Sequence, residues 1–103
     1  MIYSNDQYFE AILQLRPNKR EILNFVKQQI DQREGVFIVK EVEQKTGIDL
    51  YLTSNKFALA LGKLLKKKFK GIIKISRTLH TRHKQTGKLL YRVTVCFRLQ
   101  KDL

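Results

Sequence analysis

Apolar residues along this chain follow two different periods, and the order of these periods limits what the chain can fold into. Two segments have apolar side chains at helical spacing: residues 18–32, and a stretch that follows the N-cap residues Thr53, Ser54 and Asn55. Five shorter segments alternate or are rich in β-branched residues, as is typical of strands. They are residues 8–15, 36–42, 48–52, a strand beginning with 72–75, and 90–99. The sequence therefore predicts the order β-α-β-β-α-β-β.

Turn-forming and cap-forming residues separate these segments. Pro17 is well placed at the start of the first helix, and Gly35 is expected to end that helix in the left-handed conformation. Gly71 is expected to close the second helix. A short connection with a glycine, residues 45–47, predicts a hairpin between the second and third strands. Residues 86–87 predict a tight turn before the last strand.

The balance of helices and strands predicts the fold class. Each amphipathic helix has a single apolar stripe, so two helices can cover only one face of a five-stranded sheet. We therefore expect an α+β fold, a two-layer sandwich in which a mixed or antiparallel sheet carries both helices on one face. The length of 103 residues is that of one domain, and no linker, internal repeat or low-complexity stretch divides it. Residues 1–103 are interpreted as a single domain.

The positive charge of the chain is concentrated in its C-terminal half. The whole chain has 21 Lys and Arg against 9 Asp and Glu, a net charge of +12. Residues 1–52 carry seven basic and eight acidic side chains (net −1), whereas residues 53–103 carry fourteen basic side chains and one acid, Asp102 (net +13). A half-chain this basic repels itself unless a polyanion supplies counter-charge. This pattern favours a nucleic acid or an anionic membrane surface over a small acidic substrate.

The basic residues lie on the second predicted helix, on the segment 76–88 and on the outward side of the last strand. Twelve of them are candidate nucleic-acid-binding residues. They are Lys63, Lys66, Lys67, Lys70, Lys74, Arg77, His80, Arg82, His83, Lys84, Lys88 and Arg92. Arginines can make bidentate phosphate contacts, whereas lysines act as point charges. Binding through such residues should weaken steeply as salt is added.

A simpler explanation covers part of this cluster, because cations at a helix C-terminus interact favourably with the helix dipole. It does not cover the basic residues of segment 76–88, which have no helix end and no acid beside them in sequence. The chain has no aromatic ribonucleoprotein motif, Gly-x-x-Gly clamp, zinc-finger spacing or helix-turn-helix pattern. We therefore expect recognition of the backbone and shape of folded RNA. Tyr3, Tyr8 and Tyr51 could stack on bases, but a strand position at a sheet edge is the favoured explanation for each of them.

Catalytic and metal-binding patterns are weak in this sequence. Cys96 is the single cysteine, which excludes an intramolecular disulfide and a zinc knuckle. His80 and His83 could share an ion, but the cations around them disfavour one, so no metal and no cofactor is predicted. Three acids of the first half are the ones that a metal-dependent nuclease could recruit, and they are expected at solvent-facing strand positions with lysine partners. They are Glu41, Glu43 and Asp49. No apolar run approaches the roughly 20 residues of a membrane span.

Three stretches of the chain resemble the NMD-three (NMD3) family, the 60S ribosomal subunit export adapters of eukaryotes and their archaeal counterparts. Residues 8–16 (YFEAILQLR) are similar to the strand that follows the zinc-binding region of that family. Residues 48–54 (IDLYLTS) with the following FA at 57–58 form the second stretch, and SRTLHTR, QTGK and YRVTV between residues 76 and 95 form the most specific one. The resemblance covers nearly the whole chain and is closer to archaeal members.

The resemblance implies a domain similar to eukaryotic ribosomal large-subunit protein twenty-two. Family members also carry an N-terminal zinc module with CxxC pairs and a domain similar to translation factor five A. This chain has no CxxC pair and no C-terminal leucine-rich export signal. We therefore expect either a domain excised from a longer protein or a shortened member of the family.

The resemblance also implies a function that is not enzymatic. It predicts binding to the large ribosomal subunit, through ribosomal RNA, during late assembly or export, with ribosomal proteins or assembly factors as further candidate partners. It implies no membrane partner, a monomer, and a cytoplasmic location, or nucleus and cytoplasm in a eukaryote.

Two alternatives stay open. In the first, the sheet face left uncovered by the helices, with Tyr8, Ile12 and Tyr51, docks on a neighbouring domain or a ribosomal protein. In the second, which depends on the two histidines alone, the protein is a nuclease.

Overall fold

A computed structural model describes Tyr3, residues 8–82 and residues 89–100, with the backbone alone at 80–82 and 89–90. The described elements follow the predicted order and confirm the α+β class. They are β1 (Ala11–Arg16), α1 (Arg20–Gln32), β2 (Ile38–Gln44), β3 (Gly47–Leu52), α2 (Asn55–Phe69), β4 (Gly71–Arg82) and β5 (Leu89–Leu99). The tight turn expected at residues 86–87 lies outside the described residues.

The five strands form one open sheet in the order β2-β3-β1-β5-β4. β1 pairs with β5 in parallel, and the other three pairs are antiparallel, so the sheet is mixed. The hairpin predicted around residues 45–47 is present, since β2 pairs with β3 from Gln44 opposite Gly47 onward. β2 and β4 are the two edges of the sheet.

The core lies on one side of this sheet. In β1, Ala11, Leu13 and Leu15 are fully buried, whereas the alternate residues between them are only half-buried. Both helices contribute to the same cluster. Its helical members are Ile22, Val26 and Ile30 of α1 and Ala58, Leu61 and Leu65 of α2, and β5 adds Val93, Val95 and Phe97. The helices therefore cover one face, as predicted; the opposite side is called the open face below.

Two hydrogen bonds at its N-terminus and a close contact between Gly62 and β5 position α2 on the sheet. The Phe57 amide donates to Ser54 Oγ (3.1 Å), which caps the first turn, and the Asn55 amide donates to the Glu10 carboxylate just before β1 (3.1 Å). A carboxylate here is also favourable because the helix N-terminus is the positive end of its dipole. Gly62 lies over β5, where a Cβ would come within 2.7 Å of Val95 Cγ1. The helix is thus held closely over β4 and β5.

The end of α2 differs in detail from the sequence prediction. The left-handed residue is Lys70, with a φ of 54°, and not Gly71. Gly71 is the first residue of β4, and it is buried against β5. A Cβ there would lie 2.6 Å from the Arg98 carbonyl oxygen and still closer to the Phe97 ring. Gly71 is needed for the packing of two strands. Gly35 is left-handed as predicted, with a φ of 86°, but it lies in the turn after α1, whose C-cap is Arg33.

The fourth strand is longer than the run 72–75 that marked its start. β4 continues to Arg82 and pairs with β5 along its length, from Gly71 opposite Leu99 to Arg82 opposite Leu89. β1 pairs with β5 only from Val93 onward. Beyond that point β4 and β5 continue as a two-stranded ribbon, and the molecule measures 51 × 28 × 25 Å.

Replacing Gly71 with alanine should lower the free energy of unfolding by about 1–3 kcal/mol, because the new Cβ must displace the Phe97 ring or the β5 backbone. Ser76→Ala, at an exposed position of the same strand, is the control and should change it by less than about 0.5 kcal/mol. Chemical denaturation measures both. Equal stability of the two variants would contradict this account of Gly71.

Candidate nucleic-acid interface

The lysines predicted on α2 share its solvent side. Lys63, Lys66, Lys67 and Lys70 are all exposed, on the side opposite the buried Leu61 and Leu65. The sequence of α2 contains no acid, and no described carboxylate lies within ion-pair distance of these four lysines. Their charge is therefore available to an external anion.

Lys68 has a structural role instead. Its ammonium lies over the Phe25 ring of α1 (5.0 Å) and the Phe69 ring of α2 (5.8 Å), and these two rings meet edge to face at 5.5 Å. Lys68 thus belongs to the contact between the helices. The helix-dipole explanation applies to the last-turn lysines as well, but Lys63 lies outside that turn.

The register of β4 divides the remaining cations between two faces. Arg77 lies opposite the core residue Val93, so it shares the helix side of the sheet. Lys74 lies opposite Cys96 and therefore faces the open side. Arg92 alternates with Val93 and also faces the open side. The structure places Lys63, Lys66, Lys67, Lys70 and Arg77 on the helix side of the sheet, and they are here called the helix-side cations. It places Lys74 and Arg92 on the open face.

Five of the twelve candidate residues are described by their backbone alone or not at all. The backbone of His80 and Arg82 lies in the part of β4 that forms the ribbon. His83, Lys84 and Lys88 lie outside the described residues.

Arg92 is held in a defined position on the open face. Its guanidinium carbon lies 3.8 Å from the centre of the Phe9 ring, and its Nε donates to the Phe9 carbonyl oxygen (3.1 Å). Phe9 meets Tyr51 edge to face at 4.8 Å, and Lys40 Nζ lies 4.4 Å from the centre of the Tyr51 ring. These four residues, Lys40, Tyr51, Phe9 and Arg92, are called the open-face ladder below.

The sequence did not indicate that Lys40 and Phe9 belong to a candidate site, and it predicted that Tyr51 lies at a sheet edge. Tyr51 is in fact half-buried in β3, an interior strand. Lys40 was detectable as an outward residue of an alternating strand, but its position opposite Tyr51 depends on the register of β2 and β3.

Tyr8, which is exposed, lies beside the ladder. Its hydroxyl donates to Glu10 (3.4 Å). Burial raises the pKa of Tyr8, the charge and hydrogen bond of Glu10 raise it further, and the positive charge of Arg92 partly opposes them. The phenol is therefore neutral at physiological pH.

Asp49 is not the solvent-facing residue that its strand position suggested. It is only 5% exposed, and it pairs with Arg16 at 2.7 Å. Arg16 also donates to the carbonyl oxygens of Leu15 (3.1 Å) and Ile48 (3.2 Å), and Gln44 donates to the second carboxylate oxygen of Asp49 (3.3 Å). The prediction was wrong because β3 is an interior strand whose neighbours cover this carboxylate. Both of its oxygens have partners within the sheet.

Glu41 has the lysine partner expected for it. Lys27 Nζ lies 3.1 Å from its carboxylate, and the Tyr3 hydroxyl donates to the same oxygen. Burial lowers the pKa of Lys27, but the hydrogen bonds with Tyr3 and Glu41 outweigh this and raise it overall. Glu43 is exposed in β2. Neither acid forms an ion pair with a candidate cation whose side chain the structure describes.

The described part of the chain offers little for metal binding or membrane insertion. Within it, no three His, Cys, Asp or Glu side chains are grouped so that they could hold a metal ion. Cys96 is half-buried on the open face, between Gln14 of β1 and Lys74 of β4. Among the described helices, none has the length and apolar character to cross a membrane.

A groove of about 780 Å³ opens at one end of the sheet, where β1 and β5 end and β2 turns into β3. Its charged lining residues are Arg16, Glu43, Lys45 and Arg98. None of the predicted residues whose side chains the structure describes lines it. Arg98 lies opposite Arg16 and so also borders the open face.

An open mixed sheet with two helices on one face and a row of exposed lysines on α2 defines an α+β domain with a basic surface. The family model of the second domain of NMD3 matches residues 8–99. The chain therefore belongs to the NMD3 family, as its resemblance implied. This is a family of ribosome-associated adapters and not a known enzyme family. No curated protein matches the chain.

Asp49→Ala should lower the free energy of unfolding by about 3 kcal/mol, because it leaves the largely buried Arg16 guanidinium without its carboxylate. Glu43→Ala removes an exposed carboxylate from the adjacent strand and should cost less than about 0.5 kcal/mol. Urea denaturation of the two variants tests this difference. A similar small loss in both would mean that solvent replaces the partner of Arg16.

Proposed function

We propose that this domain binds the large ribosomal subunit through the phosphate backbone of its RNA, as a non-enzymatic component of late subunit assembly or export. The observation that carries the proposal is the set of helix-side cations without described carboxylate partners. Membership of a ribosome-associated adapter family supports RNA of the large subunit as the polyanion.

The spacing of the helix-side lysines suits a phosphate backbone. An α-helix rises about 1.5 Å per residue, so the stripe from Lys63 to Lys70 is roughly 10 Å long. A stripe of this length can face more than one phosphate. Arg77 extends the same side of the domain onto the edge strand β4.

The sequence of the elements that carry the helix-side cations contains no negative charge that could neutralise them. α2, β4 and β5 contain no aspartate or glutamate. Negative charge to balance these cations must therefore come from another part of the chain or from a ligand. A nucleic acid is the favoured source, because binding to its phosphates releases condensed counterions. Arg82, His83, Lys84 and Lys88 belong to the same proposed interface, beyond Arg77 along the chain.

The rest of the protein, its partners and its location are proposed from membership of the family. The matched model is that of a second domain, which supports a domain of a longer protein that also carries zinc-binding and factor-five-A-like modules. Ribosomal proteins or assembly factors are further proposed partners. We propose a monomer in the cytoplasm, or in nucleus and cytoplasm in a eukaryote.

The double substitution Lys66→Gln with Lys67→Gln should weaken binding to large-subunit RNA at low salt. Because two phosphate contacts are lost, the slope of log affinity against log salt should fall by about 1.5–2. Fluorescence anisotropy with labelled RNA across a KCl series measures both quantities.

Lys19→Gln with Arg20→Gln is the matched control, since it removes the same charge from the exposed start of α1. It should leave the slope nearly unchanged. An equal loss in both double variants would mean that net charge, and not the surface of α2, determines binding.

A further inference from the structure

We propose that the open face of the sheet is a second RNA site, which holds unpaired nucleotides of a single strand by stacking on Arg92 of the open-face ladder. This site goes beyond the backbone contacts of the helix-side cations, and it lies on the opposite side of the sheet. The domain would thus contact RNA on two faces by two different kinds of interaction.

The first support is the fixed position of Arg92. Its guanidinium lies against Phe9 on one side and is tied to the Phe9 carbonyl through Nε, and the residue is half-buried. A planar guanidinium held in this way loses little conformational entropy when a base stacks on its other side. Arginine planes and aromatic rings are the groups on which proteins stack unpaired RNA bases.

The second support is the extent of the ladder. It passes from Lys40 in β2, through Tyr51 in β3 and Phe9 before β1, to Arg92 in β5. Adjacent strands lie about 4.8 Å apart, so the ladder crosses roughly 14 Å. That distance corresponds to a few stacked nucleotides at about 3.4 Å each.

The third support is the charge of the open face. Lys40, Lys74 and Arg98 are exposed there, and no described carboxylate pairs with them. Asp49, the carboxylate at the described strand positions of this face, is already neutralised by Arg16. The charge of this face is therefore complementary to that of phosphates.

Polar side chains complete the surface between these cations. Register places Gln14 of β1 beside Cys96 of β5, and Thr94 of β5 opposite Ser76 of β4, all on the open face. Amide and hydroxyl groups can both donate to and accept from base edges. A duplex hides its base faces, so stacking on Arg92 requires a single strand.

The test uses two RNA probes, a short uridine oligomer and a blunt duplex, with the 103-residue chain. Arg92→Lys keeps the charge but removes the stacking plane, so affinity for the oligomer should fall about five- to tenfold, as expected for one lost stacking contact. Affinity for the duplex should change less than about twofold. Unchanged affinity for the oligomer would overturn the proposal.

Two further variants separate this site from the proposed function and from a folding defect. Lys74→Gln with Arg98→Gln alters two exposed side chains that contact no described aromatic ring or carboxylate, and it should weaken oligomer binding while thermal unfolding stays unchanged. Lys66→Gln with Lys67→Gln should chiefly weaken duplex binding. If that variant has no effect but Arg92→Lys still weakens the oligomer, the proposed function fails and the open-face site stands.

NMR shows directly which residues of the domain contact the uridine oligomer. Titration with the uridine oligomer should shift backbone amide signals of Tyr51, Thr94 and Ser76 more than those of α2. Shifts confined to α2 would overturn the proposal. So would open-face variants that keep their RNA affinity but lose binding to a purified ribosomal protein, because the face would then be a protein-docking surface.

Discussion

β1 pairs in parallel with β5 on one side and antiparallel with β3 on the other, and its inward side chains Ala11, Leu13 and Leu15 are fully buried in the core. This central strand joins the near-neutral first half of the chain to the basic second half. Because β1 to β3 occupy one side of the sheet, α2, β4 and β5 must lie together on the other. The uneven charge of the sequence thereby becomes an uneven charge of the molecule.

The two faces of the sheet use cations differently. On the helix side, exposed lysines project from α2 without partners among the described carboxylates, which suits contacts that depend on charge alone. On the open face, Arg92 and Lys40 are fixed against aromatic rings, and Arg16 neutralises Asp49. A cation with a fixed position can contribute geometry as well as charge.

The sequence allowed the fold to be predicted because apolar periodicity reports which face of each element is buried. The same periodicity placed the α2 lysines correctly on its solvent side. The open-face ladder could not be predicted, since its members come from four segments brought together only by strand register. The burial of Asp49 was missed for the same reason: whether a strand is interior or at an edge depends on sheet order. Pairing with β5 likewise determined how far β4 extends, because backbone hydrogen bonds and not apolar side chains carry the ribbon.

The ribbon of β4 and β5 gives the domain a narrow end. Past the last pairing with β1, these two strands pair with each other and with no other described strand. A two-stranded ribbon is narrower than a sheet of five strands covered by two helices. This end of the domain can therefore fit into a crevice that is too narrow for the body.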